Sequence, residues 1–195
     1  MIPLALIALE RVEGRNFDEP RLVDLSVSDR AKVFDQMNAV LTAIHSVDID
    51  AAGLGDYGPQ GNYFERQIGR WTKQYRQSET EAVPEMDQLM DWLADNIPED
   101  DGKRTLVHGD FRLDNMLFAI DRTDCVAVLD WELSTIGHPY ADLAGMIMQW
   151  QMPPGGAGRG LKGVDRAALG LPSDSEFIAA YCQRMGLAGI DRFGF

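Results

Sequence analysis

The segment His108-Gly109-Asp110-Phe111-Arg112-Leu113-Asp114-Asn115 sets a carboxylate and a carboxamide five positions apart, and Asp130-Trp131-Glu132 follows beyond an apolar stretch. Phosphoryl transfer asks a protein for few parts: a carboxylate beside the acceptor hydroxyl, and oxygen ligands that hold Mg²⁺ against the phosphates while charge develops. A loop Asp, an Asn five residues on and an Asp at the far end of a hairpin are of the right types. The His-x-Asp core alone is less specific, because buried histidines often pair with carboxylates and metal hydrolases use the same spacing. A His/Asp hydrolase would need a richer ligand set than three histidines in the whole chain supply.

Those residues depend on the elements between them. Thr105-Leu106-Val107 is strand-like, Met116 to Ile120 and Cys125 to Leu129 are apolar runs, and Asp121 to Asp124 is a turn signal. Two short strands joined by a tight turn read as a hairpin, which makes Asp110 and Asn115 neighbours of Asp130. Upstream, Ser26 to Asp29 offers capping groups for a helix whose Val33, Phe34, Met37, Val40, Leu41 and Ile44 form one stripe. After the loop from Ala51 to Gly61, Asn62 caps a second helix with Phe64, Ile68, Trp71 and Tyr75 on one face. A third starts near Pro84 and is expected to turn Met86, Leu89, Met90, Leu93 and Ile97 inward.

Downstream, Gly137-His138-Pro139 breaks the chain before a helix from about Tyr140 to Trp150, and a last helix runs from near Ser173 to Met185. The glycine-rich stretch 153–163 lacks the Gly-Lys-Ser/Thr of a phosphate loop and reads as a flexible loop on the substrate side or as a plain linker.

Length and composition bound the rest. The 195 residues fit a single domain, 1–195, because one core usually organises about 100–200 residues. A formal net charge of −13 argues against nucleic acid as a partner, since phosphate backbones attract clustered Lys and Arg. Cys125 and Cys182 have no paired spacing and read as small buried hydrophobes, in keeping with a cytoplasmic protein. The opening Met1 to Leu9 lacks the basic region of a signal peptide and falls short of the roughly 20 residues a membrane span needs. It is expected to be a buried strand, with no membrane partner.

Taken together, His-Gly-Asp, four residues, Asn, an apolar run and Asp-Trp-Glu resemble the aminoglycoside and choline kinase-like phosphotransferases, distant relatives of protein kinases with the same Asp-to-Asn spacing. The resemblance implies an α+β fold, a mostly helical protein kinase-like C-lobe with a short catalytic β-hairpin. It implies Asp110 as catalytic base, and Asn115 and Asp130 as Mg²⁺ ligands that also bind the co-substrate ATP. Asp142, in Pro139-Tyr140-Ala141-Asp142-Leu143-Ala144, matches a brace for the catalytic loop, and His108 a packed loop anchor. Glu132 either touches the metal or merely caps its segment; His138 reads as structural, and Arg112 with Asp114 as a local pair without a catalytic role.

Arg112 to Asn115 and Trp131 to Pro139 most resemble the branch associated with acyl-CoA dehydrogenases, which implies a hydroxyacyl acceptor rather than an antibiotic. Acceptor choice is expected to lie in Gly53 to Arg76 and Pro153 to Gly163. Complete members of the family open with a sheet-rich lobe whose Lys contacts ATP, whereas residues 1–14 here resemble the inter-lobe hinge. The N-lobe is therefore expected to be absent, with weak turnover by the chain alone and self-association through uncovered apolar surface. The competing reading is a non-catalytic interaction module, a pseudokinase that keeps the motif by ancestry.

Overall fold

The protein is described here by a computed structural model covering residues 11–155 and 159–190. In chain order its elements are α1 (Val27–His45), α2 (Tyr63–Ser78), α3 (Pro84–Asp95), β1 (Thr105–Val107), β2 (Met116–Phe118), β3 (Cys125–Val128), β4 (Thr135–Gly137), α4 (Tyr140–Trp150), α5 (Arg166–Leu169) and α6 (Asp174–Met185). One-turn 3₁₀ helices at Leu113–Asn115 and Trp131–Leu133 carry two parts of the motif. The strand expected over residues 1–9 lies outside the described residues, as do Gly156, Ala157 and Gly158 of the glycine-rich loop.

Short-range chemistry sets the helix ends. The Ser26 hydroxyl accepts from the Asp29 N–H, the Asn62 side chain from Phe64 and Glu65, and Ser173 with Glu176 closes a capping box at α6. Each cap satisfies backbone donors that the first helical turn leaves unpaired.

The main core joins α1, α4 and α6. Val33, Phe34, Met37 and Leu41 of α1 are fully buried, and the Trp150 ring lies 5.4 Å from Phe34 and 5.1 Å from Phe177. Buried Asn38 donates to the Phe177 carbonyl at 2.8 Å and accepts from Arg184 at 2.9 Å, so the contact between α1 and α6 has a polar register as well as an apolar one. Phe111, Leu113, Met116 and Phe118 join the same core, which anchors the chemistry-bearing segment to the helices.

The second and third helices depart from expectation. They pack on each other, yet α2 has no fully buried residue, and Trp71 and Leu89, expected inward, are 53% and 46% exposed. Periodicity creates an apolar face; it does not supply a neighbour to cover it. Ile97 falls beyond the end of α3.

The hairpin forms as β2 with β3, Leu117 opposite Ala127, with a register shift between Leu117 and Phe118. Strand β1 pairs instead with β4, Leu106 opposite Ile136, in a second two-stranded sheet whose later strand went unanticipated. The result is a mixed fold of helices and small two-stranded sheets. Among the described residues no helix is long and apolar enough to cross a membrane.

Candidate active site

Strand β1 delivers the chain into the core at His108, which is fully buried. Its Nε2 lies 2.9 Å from the Leu129 carbonyl, which can only accept, so that nitrogen carries the proton. Nδ1 is then the acceptor and faces the Asp110 N–H at 3.3 Å. One neutral tautomer thus links the loop holding Asp110 to the residue preceding Asp130. Gly109 turns the chain at φ +86, and a Cβ there would sit 2.4 Å from the Leu133 carbonyl oxygen, so only glycine fits.

Asp142 in the first turn of α4 is buried and accepts backbone N–H groups of His108 at 2.7 Å and Gly109 at 2.8 Å, one on each oxygen. His45, from the end of α1, places Nε2 3.2 Å from the same carboxylate and Nδ1 2.8 Å from the Tyr181 hydroxyl of α6. Burial pushes the Tyr181 phenol far above its usual range, so it stays protonated. It therefore donates to Nδ1, and His45 donates through Nε2 to Asp142. Three helices thereby meet behind the loop that bears Asp110.

In front of that brace, the Asn115 amide nitrogen reaches the Asp110 carbonyl at 2.8 Å and its Oδ2 at 3.0 Å. The Leu129 N–H donates to the Asn115 backbone carbonyl at 2.8 Å, which brings Asp130 alongside. Asp130 itself adopts a left-handed conformation, φ 62 and ψ 58, uncommon for a residue other than glycine. The exposed side chains of Asp130 and Glu132 make no hydrogen bond or ion pair within the described residues. Trp131 packs against His108 with centroids 4.7 Å apart and the rings tilted by 55°, and it donates to the Val128 carbonyl at 2.9 Å, which fixes the strained turn.

The fold thus brings His108, Asp110, Asn115 and Asp142 into one bonded cluster with Asp130 at its edge; Glu132 stands apart. His138 lies elsewhere, 3.2 Å from Asp101 and between the rings of Phe64 and Tyr140, a packing position. Burial lowers its pKa against the opposing pull of Asp101.

Sequence reasoning missed three contributors. His45 and Tyr181 are one; a polar residue one turn beyond Leu41 on the apolar stripe of α1 was the available signal. Arg159 is another: it pairs with Asp114, which also lies 3.4 Å from Arg112. The third is Tyr57, whose hydroxyl is 2.7 Å from Ser134, just after the Asp130 turn. Both segments expected to choose the acceptor therefore touch the motif. A cleft of about 540 Å³ between α1, α5 and α6, lined by Phe34, Leu171 and Phe177, contains none of the motif residues.

Asn115 and Asp130 fit a hard divalent cation. The Asn115 amide N–H is spent on Asp110, which leaves its carbonyl oxygen open, and the Asp130 carboxylate has no partner among the described residues. No cluster of three or more His, Cys, Asp or Glu suited to a metal occurs among the described residues. Mg²⁺ suits such a sparse pair, because it keeps water and phosphate oxygens in most of its coordination sphere.

Comparison with known proteins aligns this geometry with a family. Residues 2–189 match the phosphotransferase enzyme family. Acyl-CoA dehydrogenase family member 10 of Mus musculus is 42% identical over 188 residues, covering 96% of this chain but 18% of the mouse protein. A Ralstonia eutropha protein designated an aminoglycoside phosphotransferase superimposes with a TM-score of 0.88 at 50% identity, over 91% of this chain and 54% of that one. An aminoglycoside phosphotransferase of Streptomyces rimosus, solved with ADP and streptomycin, shares the fold at a TM-score of 0.58 and 14% identity, over 91% of this chain and 62% of its own.

Proposed function

This chain belongs to the phosphotransferase enzyme family, and on that footing we propose that it transfers the γ-phosphoryl group of ATP to a hydroxyl of a small molecule. The observation that carries the reading is the Asn115 amide, bonded to Asp110 while Asn115 and Asp130 offer open oxygens alongside. Base and cation ligands are thereby held in one frame, and in this chemistry positioning and charge stabilisation supply most of the rate.

Asp110 receives the proton of the acceptor hydroxyl as that oxygen attacks the γ-phosphorus. The new O–P bond forms, the bond to the bridging oxygen breaks, and ADP leaves. Mg²⁺, when bound by Asn115 and Asp130, neutralises phosphate charge. His108, Gly109 and Asp142 keep the Asp110 loop from shifting as the proton moves. Similarity to an acyl-CoA dehydrogenase family member favours a hydroxyacyl compound as acceptor. An aminoglycoside is the second class, suggested by the streptomycin held by the more distant fold relative.

Calorimetry of MgATP binding to the chain and to Asp130→Ala is the first test, followed by ADP release with hydroxyacyl thioesters and aminoglycosides. Binding lost in the variant, with release stimulated by one acceptor class, is the expected result. A folded wild-type chain that binds no nucleotide would sink the reading. Nucleotide binding that survives Asp110→Asn, with no transfer to any acceptor by the wild type, would favour an interaction module instead.

A further inference from the structure

The pair Arg112 and Asp114 is more than a surface ion pair. Arg112 Nε lies 3.1 Å from Asp110 Oδ1 and Nη2 lies 3.4 Å from Asp114 Oδ2, while Arg159 pairs with the same Asp114 oxygen. Charges alternate along this chain, and its end is the base. Yet Arg112 Nε is buried and has no hydrogen-bond partner, because its N–H is misdirected although Asp110 is close enough for attraction. A guanidinium normally uses its planar fork for directed, paired bonds. Here the fork is held by charge and left unspent.

Asp110 shows why that matters. Its Oδ2 accepts from Asn115, so the acceptor hydroxyl must approach Oδ1, the oxygen that Arg112 faces. The phosphoryl group in transfer then lies between that hydroxyl and the cation ligands, beside the guanidinium. Arg112 can leave Asp114 without stranding it: the Asp114 side chain is only 10% exposed, and Arg159 remains as its partner. An unpaired, nearly buried carboxylate would otherwise resist the exchange.

Resting on the reading above, we propose that Arg112 is a further catalytic residue, parked against Asp110 and Asp114 and turning its fork onto the γ-phosphoryl oxygens when MgATP binds. No proton or covalent bond changes hands in this step; the guanidinium exchanges carboxylate contacts for phosphoryl ones. The contact strengthens as charge develops on the equatorial oxygens. Arg159 acts through Asp114 and touches no substrate.

The test is calorimetry of MgATP and MgADP binding to the full chain, to Arg112→Gln and to Arg112→Lys, with thermal melts confirming that each is folded. Arg112→Gln is expected to weaken MgATP about tenfold, the loss of roughly one charge-assisted contact, while MgADP, which lacks the γ-phosphoryl group, changes less than about twofold. Arg112→Lys should recover part of the MgATP affinity, since it keeps the charge without the fork. Equal loss for both nucleotides, or no loss for either, overturns the proposal and leaves the kinase reading standing. A folded wild-type chain that binds neither nucleotide overturns both.

Discussion

The two halves of the site are built on opposite plans. Behind the Asp110 loop, Asp142, His45 and Tyr181 are buried and every polar atom that holds the loop has a partner. In front, the side chains of Asp130 and Glu132 are exposed and unpartnered among the described residues, and Asp130 is held in a strained backbone conformation. Groups that must keep one geometry whatever is bound are fixed by buried hydrogen bonds, whose loss is expensive. Groups that the proposed function assigns to a ligand are left open, with their bonding capacity unspent.

The sharpest way to break that contrast is to damage the brace. Asp142→Asn keeps the shape but sets an NH₂ against a backbone N–H and removes the charge that His45 and two amides were built around. It should lower unfolding free energy by about 3 kcal/mol, measured by denaturant titration, and a loss under about 1 kcal/mol would mean that the brace is not structural. Gly109→Ala comes next: its Cβ would press on Leu133 at a positive φ, for about 2 kcal/mol. Crystallographic displacement of residues 131–134 would accompany that loss.

The front half should respond with the opposite sign. Asp130→Gly relieves a left-handed backbone and removes no hydrogen bond or ion pair among the described residues, so stability should rise by about 0.5 kcal/mol, within the range found for strain relief offset by chain entropy. Under the proposed function the same variant loses Mg²⁺-dependent nucleotide binding. A clear drop in melting temperature would show that Asp130 belongs to the brace after all.

The smallest effect calibrates the comparison from a buried position outside both halves. Burial depresses the His138 pKa, so the folded state holds its proton less tightly than the unfolded chain, where imidazole titrates near about 6.5. Its contribution is fully present above that value and is lost as pH falls through the lower folded value. Melting curves of wild type and His138→Gln should therefore converge as pH drops below about 6.5. Parallel curves would remove His138 from the account.

Much of this was legible in the residues themselves, for a physical reason. Helix starts at Ser26, Asn62, Pro84 and Ser173, and the hairpin around Asp121 to Asp124, are decided by groups a few positions apart. The kinase-like arrangement was implied by the family resemblance that His108, Asp110, Asn115 and Asp130 carry. What could not be read was long-range: β1 meeting β4, His45 meeting Asp142 across 97 positions, Arg159 meeting Asp114 across 45. Trp71 and Leu89 failed differently, because a helix declares which face is apolar but not what will lie against it.

The path from Tyr181 through His45 to Asp142 has a consequence for how the protein is made. The loop bearing Asp110 leaves the ribosome about 70 residues before Tyr181, a delay of roughly 4 to 14 s at ordinary rates of synthesis. During that interval α1 lacks the helix that it packs against, and the loop lacks its complete brace. The nascent chain thus waits with its chemical groups in place and their support unfinished, and acquires its working geometry only when its last described helix arrives.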